Sequence, residues 1–349
     1  MQRFCQAHEY ARIRVVGIGG GGIAAVNDMI HCRIFGVEFL TADTAEASTA
    51  VSKALAHIEL DHGITNPTGS SGDPTAAFQA ASMAEKQIAD ALYGSDIVFI
   101  LAGLGGGTGS GAAPVVARVA RQQGALVIGI VTYPFSFEGE TRLNAAKKSV
   151  DSLKGCTDTL IVIPNDRLLQ QSQGTIGFHE TYRLAHNIWR DSIRGISELI
   201  NRSGLINVDF ADVRAIMREG GAAIIGTGEA TGRGRARVAA ERASRSEMLG
   251  ITLDGARGLL FNIVGGPDMT LLEVEEAAEV LTRRTHPNAN VIIGATIDDA
   301  LEDEVRITAV ATGFGLRKVF NRQVQADSER LSWHTLRPTT EKIYATTPA

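Results

Sequence analysis

Two stretches of this 349-residue sequence crowd glycines closely enough to do chemistry through the backbone. The first is VVGIGGGGIAAVNDMI, in which Gly17, Gly19 and Gly22 form a GxGxxG pattern and Gly20 and Gly21 fill it. The second is LAGLGGGTGSGAAPVVARVA, which supplies Gly105, Gly106, Gly107, Thr108 and Gly109. Each follows a short apolar run. Each also precedes apolar residues at helical spacing, Ile23, Val26 and Ile30 in one case and Ala112, Val115, Val116, Val119 and Ala120 in the other, with Pro114 expected in the first turn. A glycine cluster between the carboxyl end of a strand and a helix start brings unpaired N–H groups and a partial positive charge within reach of an anion. The predicted ligand is therefore a phosphate. No GxxxxGK[ST] lysine is present, which excludes a Walker loop. Asp43, about twenty residues beyond the first cluster, completes a dinucleotide fingerprint. An NAD-dependent oxidoreductase thus competes for the first cluster and leaves the second unexplained.

A third stretch, NVDFADVR, carries acids. Asn207 is predicted to cap a helix whose core face is Phe210, Val213 and Met217, leaving Asp209 and Asp212, three apart, on a shared side. Alone, two acids in a first turn complement the helix dipole. Glu138 and Arg142 in FEGETR read as an i, i+4 pair, and Asn165 in PND as a turn residue.

The elements that would hold these residues are legible as runs. IRVVGIG, VEFLTA, DIVFILAG, ALVIGIV and TLIVIP are nearly continuous apolar stretches, as expected for parallel strands buried on both faces, with helices as crossovers. The first half is predicted to be a doubly wound α/β sheet. A long helix is expected from about Tyr182 to Arg202, apolar over a wide arc and hence a buried central strut. AAIIGTGEA, GLLFNIVGG, NVIIGATI and VRITAVATGF then predict a second, smaller α/β domain, followed by a polar tail. A composition of 44% hydrophobic and 21% charged residues with a net charge of −5 offers no polycationic surface, so nucleic acid is excluded as a partner. No window approaches a membrane span and the first residues lack an apolar leader core, which predicts a cytoplasmic protein with no direct membrane insertion. Cys5, Cys32 and Cys156 match neither a disulfide framework nor a metal site and are expected to be reduced.

At GLGGGTGSGAAPVVARVA the chain resembles the tubulin/FtsZ family, whose signature is GGGTG[ST]G. VVGIGGGG, VTYPFSFEGETR, LIVIPNDRLL, LINVDFADVRAIM, NIVGG and RITAVATGF are similar to further FtsZ segments, in FtsZ order. The resemblance implies an N-terminal extension at 1–11, a GTP-binding domain at 12–177, a central helix at 178–203, a C-terminal activation domain at 204–316 and a tail at 317–349. It implies GTP/GDP and Mg²⁺ as ligands, and a protein that polymerises head to tail into filaments with a cell-division-type role. Gly19 to Gly22 and Gly105 to Gly109 would cradle the phosphates. Asp43 would lie near the nucleotide, Glu138 and Arg142 would contact its ribose and phosphate side, and Asn165 and Asn187 would read sugar and guanine. Asp209 and Asp212, with Asn207, would enter the neighbouring subunit's pocket and polarise the attacking water. Phosphoryl transfer needs positioning and charge neutralisation more than covalent chemistry, so a site split between subunits suits it.

Several residues depart from the family's pattern. Ile23 and Ala24 replace Gly-Asn and are expected to add bulk at the phosphate loop. GSSGDP at Gly69 to Pro74 is expected to bring the Asp73 carboxylate near an anion. Tyr133, Tyr182 and Asn187 stand for Arg, Phe and Asp, and TEKIYATTPA does not resemble the family's adaptor-binding peptide. These changes imply a divergent paralogue, and motivate an alternative in which it binds nucleotide with weak hydrolysis and acts as a scaffold or copolymer partner of another FtsZ.

Overall fold

The computed structural model describes residues 10–60, 63, 69–171, 178–202, 204–218, 220–245 and 252–314. The expected tail, most of the expected N-terminal extension and Cys5 lie outside the described residues.

The five apolar runs of the first half form β1 (Ile13–Ile18), β2 (Val37–Asp43), β4 (Ile97–Gly103), β5 (Leu126–Tyr133) and β6 (Thr159–Pro164). Two strands not expected from the sequence join them: β3 (Ala56–Glu59) at one edge and the two-residue β7 (Gly221–Ala222) at the other. All pair in parallel, in the order β3-β2-β1-β4-β5-β6-β7. Strand order reverses between β1 and β4, and a doubly wound sheet opens a crevice at that point, beyond the carboxyl ends of its strands. β1 and β4 are in register with Ile18 opposite Ala102, so the two glycine clusters leave the sheet side by side.

The crossover helices include α1 (Gly19–Ile30), the short α2 (Ala47–Val51), α3 (Pro74–Met83), α4 (Glu85–Leu92), α5 (Gly107–Gln122), α6 (Glu140–Cys156) and α7 (Asn165–Gln171). Both glycine clusters run into helix rather than ending before it. Pro114 consequently sits in the interior of α5, not in its first turn. An interior proline leaves the carbonyl four residues back without its helical donor. That carbonyl belongs to Ser110, and the Ser149 hydroxyl on α6 donates to it at 2.8 Å.

The long helix α8 (Phe178–Asn201) follows, with Trp189, Ile193 and Ile196 buried. Its first-sheet side is tied by the Ser197 hydroxyl donating to the Phe35 carbonyl at 2.6 Å. Its other side meets the second sheet where Gly195 abuts Thr308, a contact with no room for a Cβ. Beyond α9 (Phe210–Met217), the second sheet comprises β8 (Ile224–Thr231), β9 (Gly258–Gly265), β10 (Asn290–Ile297) and β11 (Glu304–Thr312), in the order β10-β9-β11-β8. Only β9 and β10 run parallel. The helices α10 (Arg235–Ser244) and α11 (Leu271–Thr282) cover it. Buried Arg235 pairs with Asp268 at 2.6 Å and Glu273 at 2.8 Å, linking the start of α10 to that of α11. Both sheets and α8 form one compact body ending at Phe314. Cys32 and Cys156 are free thiols.

Candidate functional site

Several helices illustrate how the chain treats its exposed helix starts. Asp73 caps α3 by accepting from the Thr75 N–H at 2.8 Å, Asp209 caps α9 through Ala211 N–H, and Thr270 with Glu273 closes a capping box on α11. Like α2 and α10, α1 and α5 start, at Ile18 and Gly106, with no side-chain cap and no acidic residue in the first turn. Their N–H groups and partial positive charge are therefore left for something else. Both starts open into one cleft of about 460 Å³ at the carboxyl ends of β1 and β4.

The glycines divide by what a side chain would meet. A Cβ on Gly20 or Gly106 would touch no protein atom within 4 Å, and both residues line the cleft. A Cβ on Gly22 would lie 2.6 Å from the Leu101 carbonyl oxygen, and one on Gly109 would collide with the Gly103 carbonyl. Gly22 and Gly109 thus let helix and strand backbones meet, whereas Gly20 and Gly106 keep the cleft floor bare for a ligand. Gly19, Gly21, Gly107 and Thr108 also line it. Gly22 and Gly105 do not: Gly105 has φ +100°, backs against Arg142 and Pro134, and donates its N–H to the Ser110 hydroxyl at 2.8 Å.

Hydroxyls fix the cleft wall. Thr44 Oγ1 and Thr108 Oγ1 share a hydrogen bond at 2.7 Å, and Ser70 Oγ lies 3.3 Å from Thr108. Asp43 lines the cleft but is 5% exposed; its two carboxylate oxygens accept from the Thr44 N–H at 2.7 Å and the Ser48 hydroxyl at 2.6 Å. It holds its own turn and presents no free carboxylate edge to a dinucleotide ribose, which removes the main support for the oxidoreductase reading.

Glu138 and Arg142 do form the i, i+4 pair, at 2.7 Å, and the pair lines the cleft. The second oxygen of Glu138 accepts from the Phe135 N–H, so the carboxylate aims Arg142 from a fixed base. Asn165, 6% exposed, leaves its Oδ1 without a hydrogen-bond partner at the cleft. Tyr182, Ala185, His186 and Trp189, at helical spacing i, i+3, i+4 and i+7 on α8, complete the wall.

Asn187 is not on that wall. Its Oδ1 accepts from Arg190 at 3.0 Å, and it lines a neighbouring hollow instead. The phase of α8, set by docking Trp189 and Ile193 into the core, presents His186 to the cleft in its place.

Two of the sequence-derived departures also fall elsewhere. Ile23 is buried at 2% exposure against the core and adds no bulk to the cleft, and Asp73 serves as the cap of α3 outside it. Asn207 does not cap α9: its side chain accepts from the Gly204 N–H at 2.7 Å, and Asp209 takes the cap because the helix begins at Phe210. Asn207 and Asp209 instead line a second concavity of about 720 Å³ with Arg12, Gly94 and Asp96, at the amino ends of β1 and β4. Asp212 is exposed nearby, in the first turn of α9, with no partner for its carboxylate among the described residues.

The GTPase-domain model of the tubulin/FtsZ family matches residues 12–173, and the C-terminal-domain model of the FtsZ family matches residues 221–315. The empty FtsZ dimer of M. jannaschii is 39% identical, with a TM-score of 0.82 over 88% of this chain and 89% of that one. The chain belongs to the FtsZ family. CetZ2 from Haloferax volcanii, solved as a GTPγS-bound protofilament, shares the fold at 20% identity and a TM-score of 0.76, covering 91% of this chain and 98% of that one. CetZ1 from the same organism, a GDP-bound monomer, does so at 18% identity and a TM-score of 0.75, over 91% and 99%.

FtsZ membership accounts for both glycine clusters at once. Sequence reasoning missed Thr44, Ser70, His186 and Trp189. The first two lie in polar loops with no periodicity to follow, whereas His186 and Trp189 follow Tyr182 at the spacing of one helix face.

Proposed function

We propose that this chain is a cytoplasmic GTPase that binds GTP or GDP in the cleft between α1 and α5 and polymerises head to tail, with hydrolysis at the subunit interface and a cell-division-type role. The observation that carries this reading is polarity. The cleft sits beyond the carboxyl ends of β1 and β4, while Asn207 and Asp209 line the concavity at the amino ends of the same two strands. A six-residue strand is about 20 Å long, so a subunit's own acids do not reach its own phosphates. Stacking one subunit on the next along the strand direction brings the acids of one to the cleft of the other. A head-to-tail contact of this kind generates a filament.

Within the cleft, the uncapped starts of α1 and α5 bind the phosphate oxygens, Thr108 and Ser70 add hydroxyl donors, and Arg142 balances charge at the rim. Asp212, exposed and with no partner for its carboxylate among the described residues, orients water for in-line attack from the adjoining subunit. Asp209 is held by its capping bond and borders the same concavity. Mg²⁺ fits only as an ion carried mainly by phosphate and water. Asp43 and Glu138 line the cleft with oxygens already engaged, and no group of three His, Cys, Asp or Glu side chains gathers among the described residues. When bound, it would neutralise charge on the β- and γ-phosphates.

Of the changes that motivated a non-hydrolysing scaffold, Ile23 and Asp73 lie outside the cleft, whereas Gly69 to Gly72 line it. Asp212→Ala is expected to abolish phosphate release while leaving GTP affinity intact. Undiminished release from this variant would refute the assignment.

A further inference from the structure

The second sheet lies between two helical layers. On β11, Thr308 abuts Gly195 of α8, so strand alternation turns Ile307 and Ala309 to the opposite face. Their partners on β8, Gly228 and Gly226, meet the backbone of α10 at Ala239 and Ala243, which places α10 on the face away from α8. The helix α11 packs beside α10 and over β10. These two helices are therefore the outer layer of the second domain, and none of their residues lines the cleft or the concavity at the acid end.

The outward sides of the two helices carry opposite charge. The α10 side exposes Arg233, Arg237, Arg242 and Arg245 against Glu241, whereas the α11 side exposes Glu275 and Glu279, with Glu276 half-buried, against Arg283. The minority charge on each is already engaged within its own helix: Glu241 pairs with Arg237 at 3.4 Å, and Arg283 pairs with Glu279. Arg233, Arg245, Glu275 and Glu276 have no ion pair among the described residues. Charges that serve solubility alone do so with both signs interspersed. Here a basic strip runs beside an acidic one, and such a surface is self-complementary, because a two-fold axis sets each strip against its opposite.

We propose that this outer face joins two copies of the chain side by side, with α10 of one against α11 of the other. The contact is independent of nucleotide and of the head-to-tail contact proposed above. Exposed ion pairs each contribute little and are screened by salt, so the pairing is weak between single chains and cumulative where many subunits are linked.

Sedimentation velocity of the full chain without nucleotide, in about 50 mM and about 300 mM salt, tests this. The wild-type protein is expected to form dimers at about 0.5 mM protein in the lower salt and to lose at least about tenfold in affinity in the higher. Arg233→Glu with Arg237→Glu turns the α10 strip net acidic, and Glu275→Lys with Glu279→Lys turns the α11 strip net basic; each variant alone should pair at least about tenfold more weakly. An equimolar mixture of the two should pair within about threefold of the wild type, since the acidified α10 of one then faces the basified α11 of the other, and the remaining two strips also match. All four positions are exposed, so folding is not at stake, and the wild-type arm needs no variant. A wild type that stays monomeric at about 0.5 mM in the lower salt would overturn the proposal. So would a dimer that either reversal leaves intact, or a mixture that pairs no more tightly than its components.

Discussion

At Gly20 and Gly106 the fold itself does not demand glycine. Neither residue has a positive φ, and a Cβ at either meets no protein atom. Gly20→Ala is expected to leave the melting temperature unchanged or raise it, since alanine in a helical turn is favoured by about 0.5–1 kcal/mol, while GTP affinity falls at least about tenfold. Gly22→Ala should do the reverse. Its Cβ would press on the Leu101 carbonyl at 2.6 Å, and overpacking of this kind costs about 1–3 kcal/mol. Paired thermal melts and nucleotide titrations check both variants; equal loss of stability in the two would remove the distinction. The acids separate similarly. Asp209→Ala loses a helix cap worth about 1 kcal/mol, so Asp209→Asn, which keeps the cap, is the cleaner variant for kinetics. The glycine clusters and acids were legible in the sequence because their chemistry lies in short, dense motifs. Which α8 residue lines the cleft was not, since the one-residue difference between Asn187 and His186 depends on how α8 is rotated by its packing.

Elements rather than single residues set the α5 geometry. An interior proline would ordinarily break the helix, and the Ser149 hydroxyl on α6 compensates by donating to Ser110. Ser149→Ala is therefore expected to lower stability by about 1–2 kcal/mol, read as a lower denaturant midpoint at unchanged slope. Pro114→Ala in the same background should recover most of that loss. On β5, burial and the neighbouring Asp151 push the Tyr133 phenol up to about 12. A raised folded pKa contributes stability that is complete below about 10, the ordinary tyrosine value, and is lost as pH rises toward 12. Phenolate absorbance followed through alkaline titration should show this tyrosine ionising late; Tyr133→Phe should remove that late phase. The five apolar runs predicted their strands because continuous burial leaves a continuous signal. β3 and β7 gave no such signal: β3 is an edge strand with one buried residue in four, and β7 has two residues. The α9 cap lies two residues beyond Asn207, since helix starts depend on which competing cap wins, and Pro114 falls in the interior of α5 because the glycine cluster before it is itself helical.

At the scale of the whole molecule, the chain is bipolar. One pole has two uncapped helix starts and a bare glycine floor; the other has Asp209 in the concavity and Asp212 exposed beside it, with β1 and β4 running between them. On the proposed reading, neither pole completes a phosphoryl-transfer site by itself. Activity should therefore belong to the contact between subunits, and the most direct test is phosphate release per subunit as a function of protein concentration, with light scattering recorded in the same sample. Release that is absent at low concentration and rises with scattering above a threshold is the predicted result. A specific rate that is independent of concentration, with no scattering, would mean that one subunit holds the entire site and would contradict the account.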